Sequence, residues 1–370
     1  MFGDAYSDAR VLVTGHTGFK GSWLCEWLLG LGAKVYGVAL DPPSDPSLYH
    51  QLDLVTRIER DHRIDIRDGK ALSDAVAKTN PDFVFHLAAQ PLVRTSYEKP
   101  VETMEINVLG TLLLLEAIKK AGIPCATVIA TTDKVYVNRE RAEGYSEEEP
   151  LGGHDPYSAS KAAVEIVADS WRKSFGLTGG SEGTLATARA GNVIGGGDWA
   201  LDRIIPDCMR ALKAGKEIEV RNSSATRPWQ HVLEPLSGYL WLGTLLKRAK
   251  LVDLATKDVC SAFNFGPNDE SNQNVQSLVT EVLRHWPGTW KDTSDAKAPH
   301  EAGLLHLSIR KAHELLRWEP VWNFQETVEA TVSWYRESTS PNGSNPSSLC
   351  QDQIESYTAA ARAKSIAWAE

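Results

Sequence analysis

The chain contains few cysteines, and their spacing does not suit a disulfide framework or a zinc site. The five, Cys25, Cys125, Cys208, Cys260 and Cys350, are far apart and form no C-x-x-C pair. An odd number of scattered cysteines is typical of a protein kept reduced. We therefore expect a cytoplasmic protein without disulfides and without a bound metal.

Long apolar runs and excess positive charge are also missing. The richest apolar stretch, residues 108–115, ends at Glu116, whereas a membrane span needs roughly 20 apolar residues. Residues 1–10 are polar and lack the apolar centre of a signal peptide. The net charge of −9 disfavours a nucleic-acid surface. We expect neither a membrane nor a nucleic acid as partner.

Within the 370 residues, short apolar runs alternate with amphipathic segments. A mostly β-branched run at residues 10–14, followed at once by glycines, is typical of a buried parallel strand. The pattern predicts strands at 10–14, 34–40, within 57–66, at 82–87, 126–130 and 184–190. It predicts helices at 22–31, 70–79, 101–121 and 157–175. This alternation predicts an α/β fold with a doubly wound parallel sheet of the Rossmann type.

After residue 191 the pattern becomes irregular, with a glycine cluster at 195–197. We expect residues 1–190 to form the Rossmann domain, to which the chain returns at about 227–265. Residues 191–340 should mainly form a second, smaller α/β domain that binds the substrate. A stretch rich in Ser, Pro, Asn and Gly at 338–348 indicates that 341–370 are a linker and a C-terminal helix.

A glycine-rich turn follows the first predicted strand and opens the first helix. Gly15 suits the tight turn, Gly18 lets backbone N–H groups approach a pyrophosphate, and Gly21 lets helix and sheet pack closely. Thr17 and Phe19 lie between them and complete the predicted cofactor loop. A glycine-rich turn without a ligand is the alternative interpretation.

Further cofactor contacts are predicted where the next strands end. Asp41 lies about 20 residues beyond the loop, where an acid bonds the ribose hydroxyl of NAD and repels the phosphate of NADP. It also flanks a Pro-Pro pair, so a turn residue is the alternative. Asp65 and Ile66 are placed to contact the adenine, and the small Ala88 and Ala89 leave room for the dinucleotide.

Tyr157 and Lys161 are four residues apart in a predicted helix, which puts them on one face. An ammonium beside a phenol favours the phenolate and lowers its pKa. Bringing the pKa from about 10 to about 7 takes roughly 4 kcal/mol, which a lysine and a cationic nicotinamide could supply. An exposed helix turn without a function is the alternative.

These motifs together resemble the extended short-chain dehydrogenases/reductases and, within them, the nucleotide-sugar dehydratases, most of all the CDP-glucose branch. The resemblance covers residues 11–335. It rests on TGHTGFKGSWL at 14–24, LAAQPLVR at 87–94, TTDKVY at 131–136, YSASK at 157–161, AGNVIGGGDW at 190–199 and RPWQHV at 227–232.

The resemblance implies a redox-neutral dehydration that uses NAD. Tyr157 takes the proton of the sugar 4-hydroxyl while hydride leaves C4, and Lys161 supports the phenolate and bonds the nicotinamide ribose. Thr132 donates a hydrogen bond to the 4-oxygen. Asp133 protonates the 6-hydroxyl as it leaves, and hydride then returns to C6. Asn107 matches an asparagine that holds a water or a backbone kink, although a helix asparagine without a role is equally compatible.

Lys134 departs from the pattern of the dTDP-glucose dehydratases, in which a glutamate at this place abstracts the C5 proton. A lysine is a base only when neutral, which requires its pKa to fall about three units from about 10.4. Its role is open: it could be the base, orient another base, or form a salt bridge with Asp133.

Most of the substrate contacts are expected from the second half of the chain. Arg203 and Arg227 suit a diphosphate because guanidinium groups match paired phosphate oxygens. Asn192 is placed to donate to the same group, and Arg94 to line the sugar pocket. Each could instead be an ordinary surface residue, and His231 is at least as well explained as a structural histidine.

The favoured function is the conversion of CDP-D-glucose to CDP-4-keto-6-deoxy-D-glucose, as the resemblance implies for bacterial O-antigen and lipopolysaccharide biosynthesis. The alternative is a nucleotide-sugar epimerase, or a dehydratase for a dTDP-, UDP- or GDP-sugar. A non-catalytic NAD-binding protein is disfavoured because it could dispense with Tyr157 and Lys161. The family further implies a homodimer or homotetramer. The helices at 101–121 and 157–175 are the expected interface, although packing on the sheet would explain their apolar faces equally well.

Overall fold

A computed structural model describes residues 1–141, 143–179, 183–249, 256–294 and 305–370. All predicted site residues fall inside these ranges. The predicted segments 227–265 and 191–340 also include residues that lie outside them.

A seven-stranded parallel sheet forms the centre of the molecule. The strands of the described residues are β1 Arg10–Thr14, β2 Lys34–Ala39, β3 Arg60–Arg63, β4 Phe83–His86, β5 Ala126–Ala130, β6 Thr184–Ala190, β7 Val193–Ile194, β8 Ile218–Val220, β9 Thr226–Pro228, β10 Gln230–His231, β11 Ala262–Phe265, β12 Asn272–Asn274 and β13 Trp290–Asp292. The order in the large sheet is β11-β6-β5-β4-β1-β2-β3. Strands β1 and β4 are neighbours, so the strand order reverses between them. Ligands of such sheets bind in the crevice at this reversal, outside the carboxyl ends of the strands.

Helices cover both faces of the sheet, which confirms the doubly wound α/β fold. They are α1 Phe19–Gly30, α2 Leu48–Gln51, α3 Leu54–Arg57, α4 Gly69–Thr79, α5 Val93–Glu98, α6 Pro100–Met104, α7 Gly110–Ala121, α8 Pro156–Phe175, α9 Ile204–Lys213, α10 Leu233–Arg248, α11 Thr256–Val259, α12 Val275–His285, α13 Phe324–Thr339 and α14 Pro346–Ala363.

The predicted central strands match the structure closely because each is short, rich in apolar or small residues, and buried on both faces. Strands β4, β5 and β6 are buried at every position, as expected for a parallel sheet between two helix layers. The first helix starts earlier than predicted, at Phe19, with Gly18 as its N-cap. The glycine-rich turn therefore leads directly into the helix.

The long helix predicted at 101–121 is interrupted. The segment Glu105–Leu109 is a π-helical turn between α6 and α7. The Asn107 carbonyl accepts a hydrogen bond from the Thr111 hydroxyl at 2.6 Å, a threonine bond to the preceding turn of the kind that often bends helices. Single π turns of this kind often mark functional sites.

Beyond β6 the described part of the chain forms three two-stranded sheets, pairing β7 with β10, β8 with β13, and β9 with β12. Between them it returns to the large sheet, where β11 pairs with β6 and α10 packs on β4, β5 and β6. The smaller sheets and α9 form the second region, beside the carboxyl ends of the central strands.

The C-terminal helix α14 packs back onto α1. Tyr357 and Trp368 stack with ring centroids 5.6 Å apart, and Trp27 contacts both edge-on. Phe2 stacks on Trp368 at 5.2 Å. Helices long and apolar enough to cross a membrane are absent from the described residues.

Candidate active site

The glycine-rich turn is built so tightly that side chains are excluded at two of its three glycines. Gly15 has a φ of +76°, and a Cβ there would lie 2.7 Å from the Ala88 nitrogen. A Cβ on Gly21 would lie 2.1 Å from the Gly15 oxygen. At Gly18 the nearest atom would be 3.4 Å away, so space stays open at the N-terminus of α1. Free backbone N–H groups facing open space suit a pyrophosphate, and this turn fits a dinucleotide.

Thr17 joins this turn to the end of β2, since its hydroxyl donates to the Leu40 carbonyl at 3.0 Å. The Asp41 side chain is 92% exposed there and lies 3.6 Å from the Arg63 guanidinium. Arg63 also donates to Leu40 and Asp61. Asp41 therefore lies where the ribose contact is predicted, with a neighbouring arginine that the sequence pattern did not indicate.

The two residues expected at the adenine are engaged within the protein. The Asp65 carboxylate accepts hydrogen bonds from the Arg67 backbone and guanidinium, and it stays partly exposed. Ile66 is buried against Gly110, where a Cβ would lie 2.5 Å from the isoleucine side chain. Ala88 and Ala89 follow β4, beside the glycine-rich turn.

Tyr157 and Lys161 lie on the first two turns of α8 and are both buried. Burial raises the pKa of Tyr157 to about 12, and the Thr132 hydroxyl lowers it only in part. Burial also lowers the pKa of Lys161 to about 8, against the effect of Glu165. The Lys161 ammonium donates to the Ala130 carbonyl at 3.2 Å, and desolvation outweighs the charges that surround Tyr157 in the protein chain.

Thr132, Asp133 and Lys134 leave β5 through a short 3-10 turn at the same edge of the sheet. The Thr132 hydroxyl donates to Asp133 Oδ1 at 2.8 Å, and Lys134 Nζ donates to the same oxygen at 3.2 Å. Asp133 is buried, whereas the Lys134 side chain is 27% exposed. The salt bridge given above as one alternative for Lys134 is thus formed, with its carboxylate inside the protein.

Lys20 was missed by the sequence reasoning, although it is part of the glycine-rich motif. Burial, together with the charges of Arg203 and Lys161, lowers its pKa to about 8, although Asp133 acts in the opposite direction. Its ammonium lies 3.4 Å from the Tyr239 hydroxyl. Lys20 thus adds a third cationic side chain to the interior of the site.

Asn107 connects the π turn to α8, the helix that carries Tyr157. Its side-chain oxygen accepts from the Gln90 nitrogen at 2.8 Å, and its amide nitrogen donates to the Ser160 hydroxyl at 2.8 Å. Ser160 in turn donates to the Tyr157 carbonyl at 2.7 Å. Asn107 thus holds the backbone kink and touches the helix of Tyr157.

The predicted substrate residues occupy different positions around the cleft. Arg203 pairs with the buried Asp198 at 2.9 Å, and its positive charge lowers the pKa of Tyr157 slightly. Arg94 is half-exposed and lies 3.8 Å from Asp202 on the same loop as Arg203.

Asn192 and Arg227 lie on the second region of the molecule. Asn192 is exposed directly before β7, and Arg227 lies in β9, where its guanidinium donates to the Thr226 carbonyl at 2.8 Å. His231 is buried in β10 between the rings of Trp23 and Trp322. Burial lowers its pKa to about 3, so the imidazole is neutral near pH 7.

Comparison with known proteins defines the family. The family model described as GDP-mannose 4,6 dehydratase matches residues 12–331. A CDP-glucose 4,6-dehydratase from Salmonella typhimurium is 46% identical over 333 residues, 88% of this chain and 90% of the relative. The chain belongs to the nucleotide-sugar 4,6-dehydratase family. A more distant family member, a dTDP-glucose 4,6-dehydratase from Xanthomonas campestris, is 27% identical over 88% of this chain and 93% of its own length.

Solved structures show the same fold as this nucleotide-sugar 4,6-dehydratase. A dTDP-glucose 4,6-dehydratase from Streptomyces venezuelae with NAD bound superposes with a TM-score of 0.72 at 24% identity, covering 88% of this chain and 97% of the other. A UDP-glucose 4-epimerase from Stenotrophomonas maltophila, also with NAD, gives a TM-score of 0.75 at 21% identity, covering 89% and 98%. At this distance the likeness establishes the Rossmann fold alone.

Proposed function

We propose that this protein is a CDP-glucose 4,6-dehydratase that forms CDP-4-keto-6-deoxy-D-glucose. The observation that carries the proposal is the meeting of Tyr157 and Lys161 with Thr132, Asp133 and Lys134 at one edge of the sheet. The 46% identity to a CDP-glucose 4,6-dehydratase supports the choice of nucleotide. Deoxysugar biosynthesis for bacterial O-antigen or lipopolysaccharide is the corresponding role.

The cofactor in this proposal is NAD. The amides at the start of α1 would hold its pyrophosphate, Asp41 its adenosine ribose, and Lys161 its nicotinamide ribose. Bound NAD⁺ would supply a hydride acceptor for C4 and later the donor for C6, together with a positive charge near Tyr157.

Tyr157 is the base that accepts the proton of the sugar 4-hydroxyl. Its pKa of about 12 in the protein chain means that the phenol is neutral near pH 7, so additional positive charge is required before it can act. Arg203 already lowers the pKa of Tyr157. The binding of a cationic ring beside the tyrosine would therefore couple cofactor binding to activation of the base.

Asp133 and Lys134 carry the elimination. One proton passed along the 3.2 Å contact from the Lys134 ammonium to the Asp133 carboxylate yields a neutral acid and a neutral amine. The amine can then accept the C5 proton, while the acid protonates the departing 6-hydroxyl, which leaves as water. This exchange provides a way for a lysine to act where the dTDP-glucose dehydratases have a glutamate.

The two regions of the chain have different roles in this proposal, one binding the cofactor and the other the substrate. We propose residues 1–190 with the return at about 227–265 as the NAD-binding domain, and residues 191–340 mainly as the nucleotide-sugar domain, followed by the C-terminal segment 341–370. Asn192, Arg203 and Arg227 would bind the diphosphate, and Arg94 the sugar.

A homodimer or homotetramer and a cytoplasmic location complete the proposal. Val101, Leu109 and Ile166 expose 70%, 44% and 60% of their surface on α6, the π turn and α8, and apolar surface of this kind is typical of an interface. The five cysteines are free, as in proteins of a reducing compartment. Light scattering of the Ile166→Glu variant tests the interface, because a smaller assembly than that of the parent is expected.

Incubation with NAD⁺ and CDP-, UDP-, GDP- or dTDP-glucose, followed by the alkaline absorbance of 4-ketosugars, tests the activity. We expect product from CDP-glucose. Turnover of another nucleotide sugar instead, or epimerisation without loss of water, would replace the proposal with its alternatives.

Two variants test the assigned roles. Tyr157→Phe should abolish turnover, and retained activity would refute its role as the base. Asp133→Asn should slow elimination by about 10²–10⁴-fold, the usual value of a general acid, while leaving C4 oxidation faster than loss of water. Reduced cofactor should then accumulate transiently, detected by its absorbance; unchanged steady-state turnover would exclude the role.

A further inference from the structure

A buried ion pair lies directly behind the turn of residues 132–134, the catalytic turn of the proposed reaction. Glu165 and Arg189 are 2% and 3% exposed, and Arg189 donates to Glu165 Oε2 at 2.9 Å. Glu165 lies on α8, one turn after Lys161 and two turns after Tyr157. Arg189 lies near the end of β6, the strand next to β5. Neither residue is part of the chemistry proposed above.

The beginning of the catalytic turn is attached to the carboxylate of this pair. Thr131 immediately precedes Thr132, and its hydroxyl donates to Glu165 Oε1 at 2.5 Å. The Thr131 backbone nitrogen donates to the Ala188 carbonyl of β6 at 2.8 Å. Thr131 is therefore fixed by one side-chain and one backbone hydrogen bond.

The end of the same turn is attached to the guanidinium. Arg189 donates to the Tyr136 hydroxyl at 2.7 Å, and this hydroxyl donates to the Asn264 side chain at 2.7 Å. The guanidinium also lies over the Tyr136 ring, 5.0 Å from its centroid. Thr132, Asp133 and Lys134 thus lie between two residues that are held by the two halves of one ion pair.

We propose that Glu165, through Arg189, is a positioning residue that fixes residues 132–134 relative to Tyr157 and Lys161. It belongs to the same helix as the tyrosine and the lysine, so a shift of the turn against the helix must break its contacts. The inference rests on the proposed function, because it concerns the geometry of that reaction. A displacement of about 1 Å in an active site can reduce the rate about 100-fold.

The chain offers a matched pair of substitutions. Thr131 and Thr187 both donate to the Glu165 carboxylate, at 2.5 and 2.7 Å, but only Thr131 adjoins the catalytic turn. We expect Thr131→Val to lower kcat by about 10- to 100-fold with little change in KM. Thr187→Val should leave kcat within about twofold of the parent, although both remove one donor from the same buried carboxylate.

Thr131→Ser, which restores the hydroxyl, should recover most of the lost kcat. Equal losses in the Thr131→Val and Thr187→Val variants, or no loss in either, would overturn the positioning role. Thermal unfolding of each variant shows whether the two cost similar stability. Glu165→Gln serves as the second probe if it folds, with the same fall in kcat expected.

The parent enzyme separates this inference from the proposed function. If the parent does not turn over CDP-glucose, the proposed function fails and the comparison is repeated with the nucleotide sugar that it does convert. If the parent is active and the two valine variants behave alike, only the positioning role fails.

Discussion

Two buried glutamates, Glu165 and Glu234, connect different parts of this molecule and have different kinds of partner. Glu165 pairs with Arg189 behind the turn at residues 132–134. Glu234, at the start of α10, accepts hydrogen bonds from the backbone nitrogens of Val321 and Trp322 and from the Tyr357 hydroxyl. The first glutamate thus connects the central strands to α8, and the second connects α10 to the C-terminal region.

The pKa values of these two carboxyls shift in opposite directions. Burial raises that of Glu165, but Arg189 and the threonine hydroxyls outweigh burial and leave it below the ordinary value. Burial raises that of Glu234 to about 7, because neutral donors compensate only in part. The carboxyl with a guanidinium partner thus stays charged, while the one held mainly by neutral donors is protonated more easily.

The largest effect is expected from removing the guanidinium that pairs with Glu165. Arg189→Met should lower the free energy of unfolding by about 3–5 kcal/mol, since it leaves Glu165 buried with an unpaired charge. Denaturant unfolding at neutral pH measures the loss. Adding Glu165→Gln to this variant should restore part of it, and a double variant no more stable than the single one would contradict the reasoning.

The free energy of unfolding should depend on pH in opposite ways for the two glutamates. The pKa of Glu234 is raised from 4.5 to about 7 by folding, so its contribution is fully present below about pH 4 and is lost as the pH rises through 7. Relative to the parent, Glu234→Gln should gain about 3 kcal/mol between about pH 4 and pH 8. Urea unfolding across this range provides the measurement.

Glu165 should show the reverse trend. Its pKa is lowered in the folded state, so its contribution is present above the unfolded pKa and declines as the pH falls through the folded value. A stability difference between parent and Glu234→Gln that is constant with pH would remove the distinction between the two carboxyls.

The smallest expected effect concerns the tyrosine donor. Tyr357→Phe removes one hydrogen bond to Glu234 and should cost about 1–2 kcal/mol at neutral pH. In the Glu234→Gln background the cost should be smaller, because the acceptor no longer carries a charge. Thermal unfolding of the parent, the two single variants and the double variant forms a double-mutant cycle that tests this. The same loss of stability on Tyr357→Phe in both backgrounds would contradict the prediction.

Local pattern predicted much of the fold and the site. Residues 10–14, 126–130 and 184–190 were predicted as strands with the bounds observed, since buried parallel strands are nearly continuous apolar runs. The proximity of Tyr157 to the turn at 132–134 follows from the fold, because β5 ends and α8 begins at the carboxyl edge of the same sheet.

Other features depend on long-range contacts that a sequence pattern does not contain. The pKa of Tyr157 depends on desolvation by the whole fold. The roles of Lys20 and Glu165 depend on what the fold brings next to them: Lys20 lies within the glycine motif and Glu165 one turn beyond Lys161, but only the structure shows their neighbours. The π turn at Asn107 is stabilised by Gln90 and Ser160, which lie far away in the sequence.

That π turn gives its part of the chain an unusual tolerance of a change in length. The segment Glu105–Leu109 contains one residue more than a regular helical turn requires. Because the wide turn absorbs this residue, deleting one residue there would leave an unbroken α-helix in which the residues from Gly110 onward keep their orientation. A single deletion within the regular helix α7 would instead rotate the residues that follow it by about 100° around the axis, so it should be far more damaging than a deletion in the π turn.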